Sequence, residues 1–248
     1  MRRFFIPLSA IQGQKVSLTG SDAHHLVHVL RKKVGDTFEA TDGQSRRLIL
    51  QIQAIQKEHV LCHICEAHLQ KERTVSVRLF QALPKGPAWE TILTTACELG
   101  VTEIIPVLSE RTIYPHEITG TIKSRWLRLV EETAKKTGRL TTMTIHPVLH
   151  WKDVPSLLDS SSLKIMPWEG EKETSLRSLL ETGESPPTVE LLIGPEGGFS
   201  LQEAEEAKSW GFHTVSLGQR ILTTATAVIT TLANIYYSLD RFENSHPQ

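Results

Sequence analysis

The spacing of apolar and polar residues changes near residue 75 and divides the chain into two regions. Before that point, the stretches KVSLTG, DTFEATDG, RRLILQIQAI and HVLCHICEA alternate apolar with polar residues or are rich in β-branched ones, with Gly20, Gly35 and the Asp42-Gly43 pair as turns. Short strands of this kind predict a small β-barrel over residues 1–72. The charged stretch HLQKERT is expected to link it to the second region.

One stretch of the first region, DAHHLVHVLRKK, has helical spacing instead. Leu26, Val29 and Leu30 lie on one face of the predicted helix, and three basic residues follow at its end. Several short strands with one helix are typical of a small barrel.

From Val75 onward, strand patterns alternate with helical patterns. The predicted strands are SVRLFQAL, EIIPVLS, SLKIMPW, VELLI and TVSLG, and the predicted helices are AWETILTTACELG, SRWLRLVEETAKKTG, TSLRSLLETG, LQEAEEAKSWG and TATAVITTLANIYYSL. Pro87 and Gly100 bound the first of these helices, at the positions that favour a helix start and a helix end. This alternation predicts a mostly parallel sheet, covered by helices on both faces, over residues 73–248.

The composition is that of a soluble globular protein, with 40% hydrophobic and 22% charged residues in 248. No apolar run approaches the ~20 residues of a membrane-spanning helix, and MRRFFIPLSA lacks the apolar stretch of a signal peptide. Three cysteines argue against a disulfide framework. We therefore expect a cytoplasmic protein with no membrane partner.

Charge is distributed unevenly between the two regions. Residues 1–72 hold ten Lys or Arg against seven Asp or Glu, a balance of +3, and six of the eleven histidines. The remainder holds seventeen against twenty-one, a balance of −4. The basic first region is compatible with a polyanionic partner such as a nucleic acid, and random surface variation is the alternative.

The stretch LLIGPEGGFS places three glycines around Glu196 directly after a predicted strand. Parallel sheets bind ligands outside the carboxyl ends of their strands, and Ser200 with Glu203 forms a capping box for the next helix. A glycine-rich connection without a ligand is the structural alternative. The motif lacks the G-x-G-x-x-G spacing of dinucleotide-binding proteins and the Gly-Lys-Ser/Thr of phosphate-binding loops, which disfavours both classes.

A second glycine turn, in SLGQRILTTATA, follows the next strand about twenty residues later. Gly218 ends that strand, and Arg220 comes before a long helix. Two adjacent strand ends with glycine turns could hold a flat ligand through backbone groups, with Arg220 stabilising negative charge. The alternative for an arginine in a loop is a solvated side chain.

In this order and spacing, the two stretches resemble the C-terminal knot of the SPOUT-type methyltransferases, specifically the RsmE family of 16S ribosomal RNA uridine-N3 methyltransferases. HHLVHVLRKKVGDTFEATDG resembles the N-terminal RNA-binding domain of that family. ALPKG, ACELGVTEIIPVLSERT and ETAKKTGR resemble the first half of its catalytic domain. Nearly the whole chain is covered by the resemblance.

The resemblance implies a fold that the spacing of residues does not. A PUA-like β-barrel domain, residues 1–72, would precede a SPOUT α/β methyltransferase domain, residues 73–248, with a C-terminal trefoil knot at about 188–238. Knots are rare exceptions to the rules of chain connection. The active form would be a homodimer, with α-helical surface from TAVITTLANIYYSL at the interface, and the substrate would be 16S ribosomal RNA or the small ribosomal subunit.

The resemblance also implies the site residues. S-adenosylmethionine would bind within the knot, where glycines let the main chain approach the cofactor. The implied cofactor-binding residues are Leu192, Ile193, Gly194, Pro195, Glu196, Gly197, Gly198, Leu217, Gly218, Ile221 and Leu222. The implied RNA-binding residues are Arg2, Arg3, Arg31, Lys32, Lys33 and Lys85, with Arg139 contributed by the second domain.

Arg220 is the expected catalytic residue, because its guanidinium can stabilise the charge that spreads onto the uracil oxygens when N3 loses its proton. Glu196 is expected to hold neighbouring N–H groups rather than to act as the base. The family usually has Arg and Glu where this chain has Thr223 and Ala225, and Glu-Gln where it has Lys135 and Lys136. One of these lysines would then replace the missing positive charge. The alternatives are a catalytically attenuated RNA-binding protein and a methyltransferase with another RNA target.

Two cysteine features are expected to have no catalytic or metal role. Cys62 and Cys65 have zinc-like spacing between His59 and His68, but residues three apart on a strand point to opposite faces. We therefore predict no metal. Cys97 lies on an apolar helix and is expected to be a packed core thiol.

Overall fold

The computed structural model of the protein describes residues 4–43, 45–57, 59–69, 75–113, 123–181 and 186–239. The chain divides into two compact units. The first comprises residues 1–72 and 134–142, and the second comprises residues 73–133 and 143–248. Residues 134–142, which the sequence pattern placed in the second region, belong to the first unit by their contacts. Residues 70–74 of the expected linker lie outside the described residues.

The first unit is built on one sheet. Its strands are β1 (Phe4–Phe5), β2 (Ile11–Gln12), β3 (Lys15–Thr19), β4 (Thr37–Thr41), β5 (Arg46–Ile55) and β6 (His59–Leu69). They pair in the order β1-β4-β5-β6-β3-β2, and only the β1–β4 pair is parallel. Within the described residues the pairing ends at β1 and β2, so the sheet is an open half-barrel where a barrel was predicted.

The predicted helix of the first unit is shorter than expected. Helix α1 (Gly20–His24) continues as a π-helical turn, His25–Val29. Leu26 is fully buried, whereas the side chains of Val29 and Leu30 are 57% and 42% exposed. The π turn has more residues per turn than an α-helix, so it rotates these two away from the expected face. The core beneath contains Phe4, Ile6, Phe38, Leu48, Leu50, Ile52 and Cys62 among others.

The second unit alternates strands and helices as predicted. Its strands are β7 (Ser76–Ala82), β8 (Glu103–Leu108), β9 (Thr144–Ile145), β10 (Leu149–His150), β11 (Leu163–Pro167), β12 (Thr188–Ile193) and β13 (His213–Val215). Its helices are α2 (Ala88–Leu99), α3 (Ser124–Thr137), α4 (Leu176–Leu180), α5 (Leu201–Ser209) and α6 (Thr224–Leu239), and a 3₁₀ helix covers Trp151–Leu157. The residues of α3 beyond Thr133 belong to the first unit.

All described strand pairs of this sheet are parallel, and the order is β10-β8-β7-β12-β11-β13, with β9 beside β8. Phe80 and Leu192 bury one face against Ala204 and Ala207 of α5. The alternate residues of the strands point to the other face, where α2 and α6 pack together and α6 contacts β12. The predicted parallel sheet with helices on both faces is confirmed.

A buried ion cluster lies near the amino ends of these strands. The Glu190 carboxylate on β12 is fully buried and accepts hydrogen bonds from Arg78 (2.5 Å), the Ser162 hydroxyl (2.7 Å) and Asp159 N (3.0 Å). The Lys164 ammonium lies 3.7 Å from it. We call these residues the Glu190 cluster. It joins β7, β11 and β12 at the edge of the sheet opposite their carboxyl ends.

None of the described helices is both long and apolar enough to cross a membrane.

Candidate functional site

A cavity of about 350 Å³ lies where the carboxyl ends of β11, β12 and β13 meet. Because the three strands are parallel, the loops that follow them emerge at one edge of the sheet. The cavity is lined by Pro167, Trp168, Glu169, Lys172, Ile193, Gly194, Pro195, Glu196, Gly197, Gly198, Phe199, Ser216, Leu217, Gly218, Gln219, Arg220, Ile221, Leu222, Thr224 and Ala227. Ten of the eleven predicted cofactor residues are among them.

The exception is Leu192, which does not line the cavity. Its side chain is fully buried and packs with Phe80 and Ala204 in the core. Neighbouring residues of a strand point to opposite faces, so Ile193 reaches the cavity and Leu192 does not. The two glycine turns were expected at adjacent strand ends. They are not adjacent, because β11 lies between β12 and β13.

The glycines of the turn after β12 make room for the protein's own side chains. A Cβ on Gly194 would lie 3.2 Å from the Phe199 ring, and one on Gly197 would lie 3.3 Å from Arg111. A Cβ on Gly198 would overlap the Glu169 carboxylate, and the φ of +67° there also favours glycine. Close approach of the main chain to a ligand was the expected reason for these glycines. In this turn, the protein's own side chains already occupy part of the space that a Cβ would need.

The turn after β13 is more open. Gly218 has a φ of +115°, and an added Cβ would have no atom within 4 Å. Arg220 is exposed at the cavity, and no described residue forms a hydrogen bond or ion pair with its guanidinium. Ile221 is 90% exposed. The expected catalytic arginine is thus at the cavity with its donors available.

Glu196 has the structural role that was expected, with a different partner. Its carboxylate accepts hydrogen bonds from Lys85 N, at 3.0 and 3.3 Å, and not from its own turn. This contact ties the PKG turn after β7 to the glycine turn after β12. On the other side, Arg111 donates to Gly197 O at 2.6 Å. Arg111 was not predicted, although it lies at a strand end, in the quoted stretch ending SERT.

A buried hydrogen-bond network holds the start of α6 against the same turn. The Thr224 hydroxyl donates to Gly194 O at 2.7 Å. The side-chain amide of Gln81, fully buried on β7, lies 3.1 Å from that hydroxyl and 3.3 Å from Gly194 O. Gln81 was missed, and its signal was a polar residue inside the apolar strand SVRLFQAL. The Thr223 hydroxyl accepts from Thr226 N at 3.3 Å and so caps α6.

The capping box of α5 is confirmed and extends beyond the helix. The Ser200 hydroxyl accepts from Glu203 N at 3.2 Å, and the Glu203 carboxylate accepts from Ser200 N at 2.9 Å. The second oxygen of that carboxylate accepts from Glu110 N at 2.8 Å. One glutamate therefore caps a helix and fixes the loop after β8.

The loop after β11, residues 168–174, forms a third side of the cavity that the sequence analysis did not identify. Its position at the carboxyl end of a predicted strand was the available signal. Glu171 holds its shape by accepting hydrogen bonds from the Thr214 hydroxyl (2.6 Å), Glu173 N (2.8 Å) and Thr174 N (3.1 Å). These hydrogen bonds, the one from Thr214 first, lower the pKa of Glu171 to about 2.

The predicted RNA-binding residues fall into three groups. Arg2 and Arg3 lie outside the described residues. Arg31 and Lys33 are exposed in the loop after the π turn, where Lys32 donates to Thr37 O at 3.0 Å, and Lys85 is exposed beside the PKG turn. Arg139 differs from expectation, because it belongs to the first unit and is only 6% exposed.

Lys135 is one of the two lysines expected to replace the missing positive charge. It is 9% exposed, and its ammonium lies 3.3 Å from the Asp22 carboxylate within the first unit. An ion-paired, nearly buried lysine is not available to a substrate. Lys136, the neighbour, is exposed.

A second cavity, of about 860 Å³, lies in the first unit between α1 and the β5–β6 turn. It is lined by Thr19, Gly20, Ala23, His24, Val27, His28, Ile55, Gln56, Lys57, His59 and Val60. The His24 and His28 rings lie 4.7 Å apart along one helical face. The cavity thus combines flat imidazole rings with one cationic side chain.

The cysteines lie as predicted. Cys62 on β6 is buried, which raises the pKa of its thiol to about 12, and Cys65 is exposed on the same strand. Cys97 is fully buried, and its thiol lies 3.6 Å from Val130 O. No group of three or more potential metal-ligating side chains occurs among the described residues.

Comparisons with known proteins give consistent matches over both units. A family profile described as RNA methyltransferase domain matches residues 71–236, and one described as RNA methyltransferase PUA domain matches residues 18–65. The ribosomal RNA small subunit methyltransferase E of Synechocystis is 32% identical over 89% of this chain and 72% of its own length. The ribosomal RNA small subunit methyltransferase E of Bacillus subtilis is 26% identical over 97% of this chain and 98% of its own length.

Solved structures give the same result. The ribosomal RNA small subunit methyltransferase E of Neisseria gonorrhoeae, bound to S-adenosylmethionine, has a TM-score of 0.82 at 26% identity over 98% of this chain and 99% of its own. A putative methyltransferase of Legionella pneumophila, in complex with the same cofactor, has a TM-score of 0.79 at 26% identity over 98% and 99%.

Proposed function

Because this chain belongs to the ribosomal RNA small subunit methyltransferase E family, we propose that it transfers a methyl group from S-adenosylmethionine to N3 of a uridine in 16S ribosomal RNA. The observation that carries this proposal is the cavity at three parallel strand ends, with two glycine turns and an arginine without a partner among the described residues. We place this activity in the cytoplasm, where the ribosomal substrate is found.

The cavity fits the cofactor in size and chemistry. Its volume of about 350 Å³ lies within the ~300–1,000 Å³ of small-molecule sites. Its lining combines apolar side chains such as Ile193 and Leu222 with main-chain groups of the two glycine turns. We propose that these turns hold S-adenosylmethionine, which when bound supplies a methyl group on a sulfonium. Leu192 would support the cavity from the core and make no contact with the cofactor.

Arg220 is the proposed catalytic residue. The N3 atom of uracil carries a proton, and when this proton leaves, negative charge spreads onto O2 and O4. A guanidinium with donors free among the described residues can bind these oxygens and lower the energy of that charge. Because Glu196 is engaged with Lys85 N, we assign it a positioning role. Because Thr223 and Ala225 stand where the family usually has Arg and Glu, Arg220 lacks these two charged neighbours.

We propose that the first unit binds the RNA. Its loop of Arg31, Lys32 and Lys33 would contact phosphates, whose neutralisation dominates the affinity of such complexes. The second cavity, where the His24 and His28 rings lie 4.7 Å apart and are tilted by 39°, offers flat surfaces on which unpaired bases can stack. Lys85, which is exposed in the second unit, is a further proposed RNA contact. Arg139 is only 6% exposed, so we propose that it affects RNA binding indirectly, through its buried contacts within the first unit.

We also propose the SPOUT arrangement for residues 188–238, with the chain threaded into a trefoil knot. The contact of Thr224 with Gly194 O, reinforced by Gln81, supports it because it brings two remote segments together at the cavity. A homodimer is proposed as well. Most apolar residues of α6 face the unit's own core, but Ile229 and Tyr237 are 42% and 90% exposed and would contact the partner.

The test is methyl transfer to small ribosomal subunits isolated from a strain that lacks the gene, with modified nucleosides mapped by mass spectrometry. We expect one methylated uridine in 16S ribosomal RNA. A variant with Thr223→Arg and Ala225→Glu is assayed in parallel under single-turnover conditions. Its rate of methyl transfer shows whether the charges that the family usually has at these positions accelerate the reaction. If the protein binds the cofactor but no nucleotide is methylated by either form, the function is RNA binding without catalysis.

A further inference from the structure

Glu169 is a charged residue of the cavity with no assigned role. It lies two residues after the end of β11, lines the cavity and is exposed. Among the described residues, no group donates a hydrogen bond to its carboxylate or forms an ion pair with it. Its main-chain oxygen, in contrast, accepts from the Lys172 ammonium at 2.7 Å.

The backbone around Glu169 is fixed by contacts on both sides. Trp168 N donates to Val215 O at 3.0 Å, and the Trp168 indole N–H donates to Phe199 O at 3.2 Å. On the other side, Glu171 closes the loop through the hydrogen bonds described above. The carboxylate of Glu169 therefore extends from a loop whose position is set before any ligand arrives, which lowers the cost of binding.

That carboxylate lies directly against the glycine turn. A Cβ on Gly198 would overlap Glu169 Oε1 and would lie 2.7 Å from Oε2. The space that a side chain at position 198 would need is filled by the carboxylate. Glu169 and the glycine turn thus form one continuous surface of the cavity.

Some charged side chains of the cavity lining already have hydrogen-bond partners, and others are open to a ligand. Glu196 is bonded to Lys85 N, and the Lys172 ammonium is bonded to the main-chain oxygen of Glu169. Of the two glutamates in the described lining, Glu169 is therefore the one whose oxygens are open to a ligand. S-adenosylmethionine carries two positive groups, the sulfonium and the ammonium of its methionine moiety. A negative charge at the cavity attracts such positive groups.

We propose that Glu169 binds a positively charged group of S-adenosylmethionine. This inference rests on the proposed function and adds a residue that recognises the charge of the cofactor rather than its adenosine. Since the contact needs a negative charge, Glu169→Gln removes the attraction while it keeps nearly the same size and shape.

The experiment measures dissociation constants by calorimetry for the full chain, Glu169→Gln and the control Glu173→Gln. Glu173 is an exposed glutamate of the same loop that does not line the cavity. Three ligands are titrated: S-adenosylmethionine with both positive groups, S-adenosylhomocysteine with the ammonium alone, and 5′-methylthioadenosine with neither. We expect Glu169→Gln to raise the dissociation constant for S-adenosylmethionine about tenfold and to leave that for 5′-methylthioadenosine unchanged. Glu173→Gln should bind all three ligands as tightly as the unmodified chain does.

The pattern identifies the group. If Glu169→Gln also binds S-adenosylhomocysteine more weakly, the contact is with the ammonium. If its affinity for S-adenosylhomocysteine is unchanged, the contact is with the sulfonium. Equal affinity of Glu169→Gln and the unmodified chain for S-adenosylmethionine overturns the proposal, as does an equal loss for 5′-methylthioadenosine, because that loss reports a disturbed loop. If the unmodified chain binds none of the three, the cofactor site itself is wrong and the proposed function falls with it.

Discussion

Replacing Glu190 with glutamine should destabilise the second unit strongly, because the Glu190 cluster depends on one buried negative charge. Glu190 is fully buried, while the side chains of its partners Arg78 and Lys164 are 15% and 8% exposed. Glutamine fits the space but leaves the Lys164 ammonium without the Glu190 charge and Arg78 with the Glu103 carboxylate, 3.3 Å away, as its remaining ion-pair partner. Removing one member of a buried ion pair costs about 3–5 kcal/mol. For a unit of this size, that corresponds to a fall in Tm of about 6–20 °C.

Urea unfolding followed by tryptophan fluorescence is the appropriate assay. All five tryptophans belong to the second unit, so their emission follows its unfolding alone. The control is Glu181→Gln, which removes an ion pair with Arg177 whose side chains are 62% and 86% exposed. Such exposed pairs contribute at most about 1 kcal/mol. The midpoint should fall for Glu190→Gln with an unchanged slope.

Equal losses for Glu190→Gln and Glu181→Gln would refute this reasoning, since they would mean that burial adds nothing to the cost. The folded variant should also keep its affinity for S-adenosylmethionine. Glu190 is four residues before Gly194 along β12, or about 13 Å at ~3.3 Å per residue. A large change in affinity without a change in stability would contradict the separation of the cluster from the site.

Four further predictions concern the site and the RNA. Arg220→Ala should lower the single-turnover rate of methyl transfer by about 10²–10³ with unchanged cofactor affinity, and near-normal turnover would exclude the catalytic assignment. Gly198→Ala should lower the free energy of unfolding by at least about 1–2 kcal/mol, from its positive φ, and should weaken S-adenosylmethionine in calorimetry by displacing Glu169. The folded-state pKa of Glu171 is depressed to about 2, so its stabilisation is complete above the unfolded value of about 4.5 and is lost as pH falls toward 2. The gap in urea midpoint between the unmodified chain and Glu171→Gln should therefore narrow from pH 6 to pH 3, and a constant gap would reject the assignment. Neutralising residues 31–33 should reduce both RNA affinity and its dependence on salt concentration, whereas an unchanged salt slope would remove this loop from the interface.

Most elements of the fold were predictable from the sequence because their signals are local. Strand β5 and helix α6 have the bounds that alternation and helical spacing predicted. Strands β1, β2, β9 and β10 were missed, since each has only two residues and too short a pattern to detect. The exposure of Val29 could not be foreseen either, because it results from a π turn that apolar spacing does not reveal.

The site was predictable in its sequence motifs but not in its long-range contacts. The glycine turns and Arg220 stand out in the sequence, and the structure brings both turns to one cavity. The 168–174 loop lines the cavity, and Gln81 and Arg111 hold the glycine turn after β12, through contacts between residues 31 to 143 positions apart. Spacing along the chain cannot show which side chain fills the space beside a glycine. Burial of Lys135 against Asp22 was hidden for the same reason.

The assembly of the cavity from three strand ends has a consequence for synthesis of the protein. Strand β13 pairs with β11, and the first residue of α6 bonds to the turn after β12. A nascent chain that has emerged through residue 200 therefore has one glycine turn and the 168–174 loop but lacks the side of the cavity supplied by residues 216–227. Cofactor affinity should be absent from such a chain and should arise when α6 docks. Retention of labelled S-adenosylmethionine would then distinguish finished molecules from incomplete ones on the ribosome.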